Sequence, residues 1–215
     1  MIIVNFKTYE TAVGENAVAL AKIHEMVAEE TGAPIAVAVN ALDLAAVLKA
    51  VRIPVFVQSI DVAGFGSCTG SIVPELVKKM GAVGTLLNHS EKRLGENLAK
   101  SVAAAKAAGL QIVLCAEDDD EAAKFAAEFE PDFVAVEPPE LIGGDISVTS
   151  ANPAVIEDSV KKVGAIPLLV GAGVKNGEDV KTALKLGAKG VLLASGITKA
   201  ENPAAVLRDL AAGLN

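Results

Sequence analysis

Short runs of β-branched and other apolar residues recur along the chain, each followed by a stretch in which apolar residues return every three or four positions. Residues 2–6, 35–39, 55–57, 83–87, 112–115, 133–136, 168–170 and 191–193 read as strands. They are apolar on both faces rather than alternating, which is the pattern of a buried parallel sheet. Between and after them, residues 15–30, 42–50, 74–80, 96–108, 121–129, 153–163, 177–186 and 203–212 carry helical spacing, about one helix per strand.

The punctuation agrees with these boundaries. Asn152-Pro153 and Asn202-Pro203 read as an N-cap followed by proline in the first turn, and Gly81, Gly109 and Gly187 follow the last periodic residues of their helices. Strict alternation of doubly apolar strands with helices predicts an α/β fold, and eight units of roughly 25 residues match a (βα)8 barrel. A doubly wound open sheet is the alternative. No linker or shift in composition divides the chain, so residues 1–215 are expected to form a single domain.

Composition narrows the class. Apolar residues make up 52% of the 215, yet no run approaches the roughly 18 uninterrupted apolar residues of a membrane span. The N-terminus MIIVNFKTYE lacks a basic segment ahead of an apolar one, so a soluble, cytoplasmic protein with no membrane partner is expected. Cys68 and Cys115 are far apart and outside any CxxC spacing, which points to reduced thiols and no metal site. Acidic residues outnumber basic ones, 27 to 19, for a formal charge of −8, and the basic residues form no stripe. That argues against nucleic acid as a partner. An anionic ligand would have to be drawn in by a local region of positive potential.

In such barrels chemistry sits where strands hand over to loops at their C-terminal ends. The first strand runs into Asn5-Phe6-Lys7, and strand alternation puts Asn5 and Lys7 on one side, toward a barrel centre. A solvated lysine at the strand end is the competing reading. The fourth strand runs into Asn88-His89-Ser90-Glu91, where a histidine near a helix N-terminus is held neutral by the positive end of the dipole. His24, the other histidine, lies beside the apolar stripe of the first helix and reads as structural. The sixth strand ends in Glu137-Pro138-Pro139-Glu140-Leu141-Ile142-Gly143-Gly144, a carboxylate followed by a loop stiff at its start and glycine-rich at its end, as in a hinged lid. Gly171-Ala172-Gly173-Val174 and Ala194-Ser195-Gly196-Ile197 follow the last two strands, and their small side chains let backbone N–H groups approach a phosphate.

As a set, in order from Asn5 to Ser195, these motifs resemble those of the triosephosphate isomerases, in particular the short, archaeal-type branch. Asn5-Phe6-Lys7 is similar to the family's first-strand Asn-x-Lys, and His89-Ser90-Glu91-Lys92-Arg93 to its His-Ser-Glu-basic-Arg segment. Glu137-Pro138 with Ile142-Gly143 is similar to its catalytic glutamate and lid.

The resemblance implies an isomerase that interconverts glyceraldehyde 3-phosphate and dihydroxyacetone phosphate by proton transfer. Glu137 would be the base, neutral His89 the electrophile, Lys7 a fixed positive charge and Asn5 a donor to the enediolate. Glu91 would position Lys7 or His89. Ile142, Gly143, Gly173, Ala194 and Ser195 would hold substrate, with no cofactor and no metal. It further implies a homo-oligomer, a tetramer or possibly a dimer.

The chain departs from the long forms at Pro138-Pro139-Glu140, at Gly171-Ala172-Gly173 and at Ala194-Ser195. Two rivals stay open at this level. One is another sugar-phosphate-binding barrel enzyme; the other is a non-catalytic phosphate-binding barrel.

Overall fold

Eight parallel strands hydrogen-bond in chain order and close on themselves, β8 pairing with β1. The computed structural model describes residues 1–138, 149 and 153–214. The strands are β1 Ile2–Asn5, β2 Ile35–Val39, β3 Val55–Val57, β4 Gly84–Leu87, β5 Gln111–Ala116, β6 Phe133–Val136, β7 Leu168–Gly171 and β8 Gly190–Leu193. Helices cover them: α1 Glu15–Thr31, α2 Leu44–Ala50, α3 Pro74–Met80, α4 Leu98–Ala107, α5 Asp119–Phe129, α6 Pro153–Val163, α7 Gly177–Lys185 and α9 Pro203–Ala212. A single helical turn, α8 Ser195–Thr198, has no counterpart in the hydrophobic pattern, because four residues are too few to show a period.

The doubly apolar strands split their side chains between two cores. Ile3, Ala36, Ala38, Phe56, Leu86, Val113, Cys115, Ala135, Leu169 and Leu192 fill the barrel interior, while Ile2, Val4, Val37, Val39, Ile112 and Leu114 face the helices. Interior volume is matched locally. A Cβ on Gly84 would lie 2.5 Å from the Phe56 ring, so that layer takes one large residue and one with no side chain.

Several ends differ from the expected ones. β1 stops at Asn5 rather than Phe6, because Lys7 turns to φ 49°, although Phe6 N still donates to Ala38 O at 2.9 Å. α2 begins at Leu44, leaving Leu42 94% exposed in the preceding loop. α4 is shorter than expected and is entered through a 3-10 turn at Gly95–Asn97. α5 begins earlier, at Asp119, because Asp118 caps it by accepting from Glu121 N. The expected caps at Gly81, Gly109 and Gly187 all have left-handed φ, and the Asn202 side chain accepts from Ala205 N. Asn152 lies outside the described residues. Among the described residues, no helix is long and apolar enough to cross a membrane.

Candidate active site

A cavity of about 230 Å³ opens at the C-terminal ends of the strands. Its described lining brings together Asn5, Lys7 and Tyr9 from the first loop, His89 and Glu91 from the fourth and Glu137 from the sixth. Ala172 to Lys175 and Leu192 to Gly196 complete it from the last two strands. Strand order in the sequence thus becomes a ring of side chains around one space.

Lys7 enters this space differently from the way strand alternation predicts. It has left the strand, and its left-handed backbone is held by its own N–H donating to Asn5 Oδ1 (3.0 Å) and by Gln58 Nε2 donating to Lys7 O (3.0 Å). The Lys7 side chain is only 12% exposed, and Nζ lies 2.6 Å from Glu91 Oε1. The solvated-lysine reading does not fit this burial. Asn5, 5% exposed, uses its side-chain oxygen on Lys7 N and lines the cavity.

His89 caps a 3-10 turn, Ser90–Lys92, rather than a full helix. Its Nδ1 accepts the Glu91 backbone N–H at 3.1 Å, so that nitrogen carries a lone pair and the ring proton resides on Nε2. A specific hydrogen bond, and not only a helix dipole, fixes the tautomer of the ring. Asn88 sets up the turn with φ 61°, donating to Cys115 O (3.2 Å) and accepting from Leu94 N (3.1 Å). Arg93 ties the same segment to Glu117 and Glu121 at the start of α5.

Glu137 follows β6, with its N–H donating to Ala116 O at 2.9 Å and its side chain 9% exposed. Burial pushes its carboxyl above the usual range, opposed by His89, by Lys7 and by the Cys115 thiol of the neighbouring strand. Burial, reinforced by the Glu137 charge, pushes the Cys115 thiol well up, so it stays protonated. His89 Nε2 and Glu137 Oε2 are 3.5 Å apart, and neither has a hydrogen-bond partner among the described residues. Two buried polar atoms left unmatched cost stability, which a fold tolerates where a ligand completes them.

The opposite wall is backbone. Ala172 (φ 69°) and Gly173 (φ 73°) are successive left-handed residues after β7. Ser195 and Gly196 begin α8, whose first N–H groups have no acceptor within the helix. Thr11 Oγ1 donates to Thr198 O at 2.5 Å, joining the first loop to this turn.

Of the sequence-derived site residues, Asn5, Lys7, His89, Glu91, Glu137, Gly173, Ala194 and Ser195 line this one cavity. Ile142 and Gly143, and the lid expected around them, lie outside the described residues. Sequence reasoning missed Cys115, Tyr9 and Lys175. Cys115 gives no signal beyond its inward position on β5; Tyr9 and Lys175 are each only two residues from a residue already singled out. Gly171 was grouped with the phosphate loop, but its role is to make room for Glu137. Among the described residues, no group of three or more His, Cys, Asp or Glu side chains could hold a metal ion.

A family model described as triosephosphate isomerase matches residues 1–210. Curated proteins of that name are similar over nearly the whole chain. The one from Methanosarcina acetivorans is 47% identical over 214 residues, covering 97% of this chain and 96% of its own length. That from Methanocaldococcus jannaschii is 45% identical over 215 residues, 98% of each. That from Pyrobaculum calidifontis is 46% identical over 216 residues, covering 98% of this chain and 94% of its own.

Proposed function

The chain belongs to the triosephosphate isomerase family, and from that premise we propose how its cavity interconverts glyceraldehyde 3-phosphate and dihydroxyacetone phosphate. Glu137 removes the proton from the carbon beside the carbonyl, and the electron pair moves onto the carbonyl oxygen to give an enediolate. His89 Nε2–H hydrogen-bonds that oxygen as charge develops and carries the proton between the two oxygens. Glu137 then returns its proton to the neighbouring carbon. No electron leaves the substrate, so the reading calls for no organic cofactor and no metal.

The observation that carries this assignment is the pair of buried, unmatched atoms, Glu137 Oε2 and His89 Nε2, at the floor of one cavity. A base with its pKa raised by burial and a donor with its tautomer fixed by Glu91 N are suited to the two halves of one proton shuttle. Lys7 supplies positive charge to the enediolate and phosphate, Asn5 a hydrogen bond, and Glu91 positions both Lys7 and His89. The backbone at Gly173, Ala194 and Ser195 takes the phosphate, and Ile142 and Gly143 are assigned to it by resemblance.

The direct test is to add the protein to glyceraldehyde 3-phosphate with a chelator and no cofactor, beside a Glu137→Gln control. Conversion to dihydroxyacetone phosphate that is lost in the control supports the assignment. Conversion that survives in the control removes Glu137 from the mechanism.

We also take the protein to be a cytoplasmic homo-oligomer, a tetramer or a dimer. Leu42 (94% exposed), Val62 (50%) and Phe65 (69%) project from the loops after β2 and β3, apolar side chains a monomer leaves wet. A monomeric mass by light scattering would overturn this assembly without touching the chemistry.

A further inference from the structure

The cavity wall at residues 194–196 depends on α8, and a helical turn of four residues does not hold itself. Its own ladder is two bonds, Thr198 N donating to Ala194 O (3.0 Å) and Lys199 N to Ser195 O (3.2 Å). The position of the turn has to be set by its neighbours.

On one side Gly196 stands so close to the loop after β7 that a Cβ would lie 3.2 Å from Val174 O. On the other side is the first loop. Thr11 Oγ1 donates to Thr198 O (2.5 Å), and the Lys199 ammonium lies 4.7 Å from the centroid of the Tyr9 ring. Of these partners the first loop is well anchored in its own right. Ala12, 1% exposed, donates its N–H to Tyr9 O (2.8 Å), Asn16 Nδ2 donates to Glu10 O (2.9 Å) and Gly14 N donates to Asp43 Oδ1 (3.0 Å). Asp43 is buried in turn, and its other oxygen accepts from Asn40 Nδ2 (2.6 Å). A chain of hydrogen bonds thus runs from the loop after β2, through the first loop, to the end of α8.

Thr11 is the link in that chain whose side chain packing does not require. Its position is exposed, whereas Thr198, whose carbonyl it satisfies, is buried. The loop that carries Thr11 also carries Lys7, so this one hydroxyl joins the part of the site around Lys7 to the wall at residues 194–196.

We propose that Thr11 is a positioning residue of the active site: through Thr198 O its hydroxyl holds α8 in place against the first loop, so that the wall at residues 194–196 is set before the phosphorylated substrate arrives. The proposal rests on the isomerase reading. Thr11 is not among the described residues lining the cavity and takes no part in proton transfer. It removes an ordering cost that binding would otherwise carry.

The test compares wild type with Thr11→Val, which keeps the shape and loses the hydroxyl, Thr11→Ala, which loses both, and Thr11→Ser, which keeps the donor. In Thr11→Val and Thr11→Ala, kcat/KM for glyceraldehyde 3-phosphate falls about three- to tenfold, as expected for the loss of one hydrogen bond. The calorimetric Kd of inorganic phosphate rises by a similar factor. Thr11→Ser stays within about twofold of wild type in both, and kcat/KM for unphosphorylated glyceraldehyde, which makes no use of that wall, is the same in all four proteins.

Unchanged kcat/KM and phosphate Kd in Thr11→Val and Thr11→Ala overturn the proposal. So does a loss that extends equally to glyceraldehyde or that Thr11→Ser shares, and so does failure of both hydroxyl-free variants to fold, which would make the bond a structural one. Should wild type itself fail to turn over glyceraldehyde 3-phosphate, the isomerase reading falls, and the phosphate Kd decides Thr11 separately: weaker binding in Thr11→Val with recovery in Thr11→Ser sustains its role, and equal or absent binding ends it.

Discussion

Gly171 and Glu137 pack so closely that a Cβ on Gly171 would lie 2.2 Å from Glu137 Cγ and 2.8 Å from Oε1. The glycine at the end of β7 is therefore the space in which the carboxylate stands. Gly171→Ala must push that side chain aside, and a shift of about 1 Å at a reacting group costs on the order of 100-fold in rate. The expected result is a fall in kcat of that order with a smaller change in KM. Wild-type kcat in this variant would show that the carboxylate position is not what Gly171 protects.

The Cys115 thiol, on the neighbouring strand β5, favours the ionised form of the same carboxylate. Removing the thiol in Cys115→Ala leaves burial less opposed, so the Glu137 pKa rises further and the acid limb of the kcat/KM profile moves to higher pH. The substrate phosphate also titrates, near pH 6, but identically for both proteins, so the displacement between the two profiles is the readout. Superimposed acid limbs would remove Cys115 from the control of the base.

Glu91 acts through two separate groups. Its backbone N–H donates to His89 Nδ1, and its carboxylate meets Lys7. Glu91→Gln retains the first and weakens the second. Nitrogen NMR of the imidazole should therefore find the proton on Nε2 in both proteins, while KM rises in the variant. A change of tautomer would mean that the carboxylate, 3.8 Å from Nδ1, sets the ring state instead.

His24 is fully buried against Phe6, its Nδ1 donating to Leu20 O at 2.7 Å and its Nε2 without a partner among the described residues. Burial lowers its pKa from 6.5 to about 4. Above pH 6.5 the ring is neutral in folded and unfolded chains alike. Below it, the unfolded chain binds the proton first, so stability is lost as pH falls from 6.5 toward 4, by about 3 kcal/mol in total. His24→Leu should flatten that part of the pH dependence in urea unfolding. An unchanged slope would place the acid sensitivity elsewhere.

The barrel was legible because its strands are apolar on both faces and its helices are not, a contrast that survives single-residue errors at the ends. His89 and Glu137 were legible because packing gives no reason for a polar residue to end an apolar strand. What lies between distant strands was not legible. Gly171 makes room for a residue 34 positions earlier, and Cys115 holds down the pKa of that same residue from the neighbouring strand, relations that exist only after closure. Lys7 was placed correctly for a mistaken reason, since its φ of 49° ends the alternation invoked for it. Leu42 was assigned to a helix because an exposed leucine at a loop has the same hydrophobicity as one in a core.

The most direct measurement is the turnover of Glu137→Asp, which keeps the charge and withdraws the carboxylate by one methylene. If Glu137 is the base beside the substrate carbon, kcat for glyceraldehyde 3-phosphate falls about 100-fold or more while KM stays within a few-fold of wild type. Equal kcat in the two proteins would contradict the account at its centre, because a base that can retreat without consequence is not the group that takes the proton.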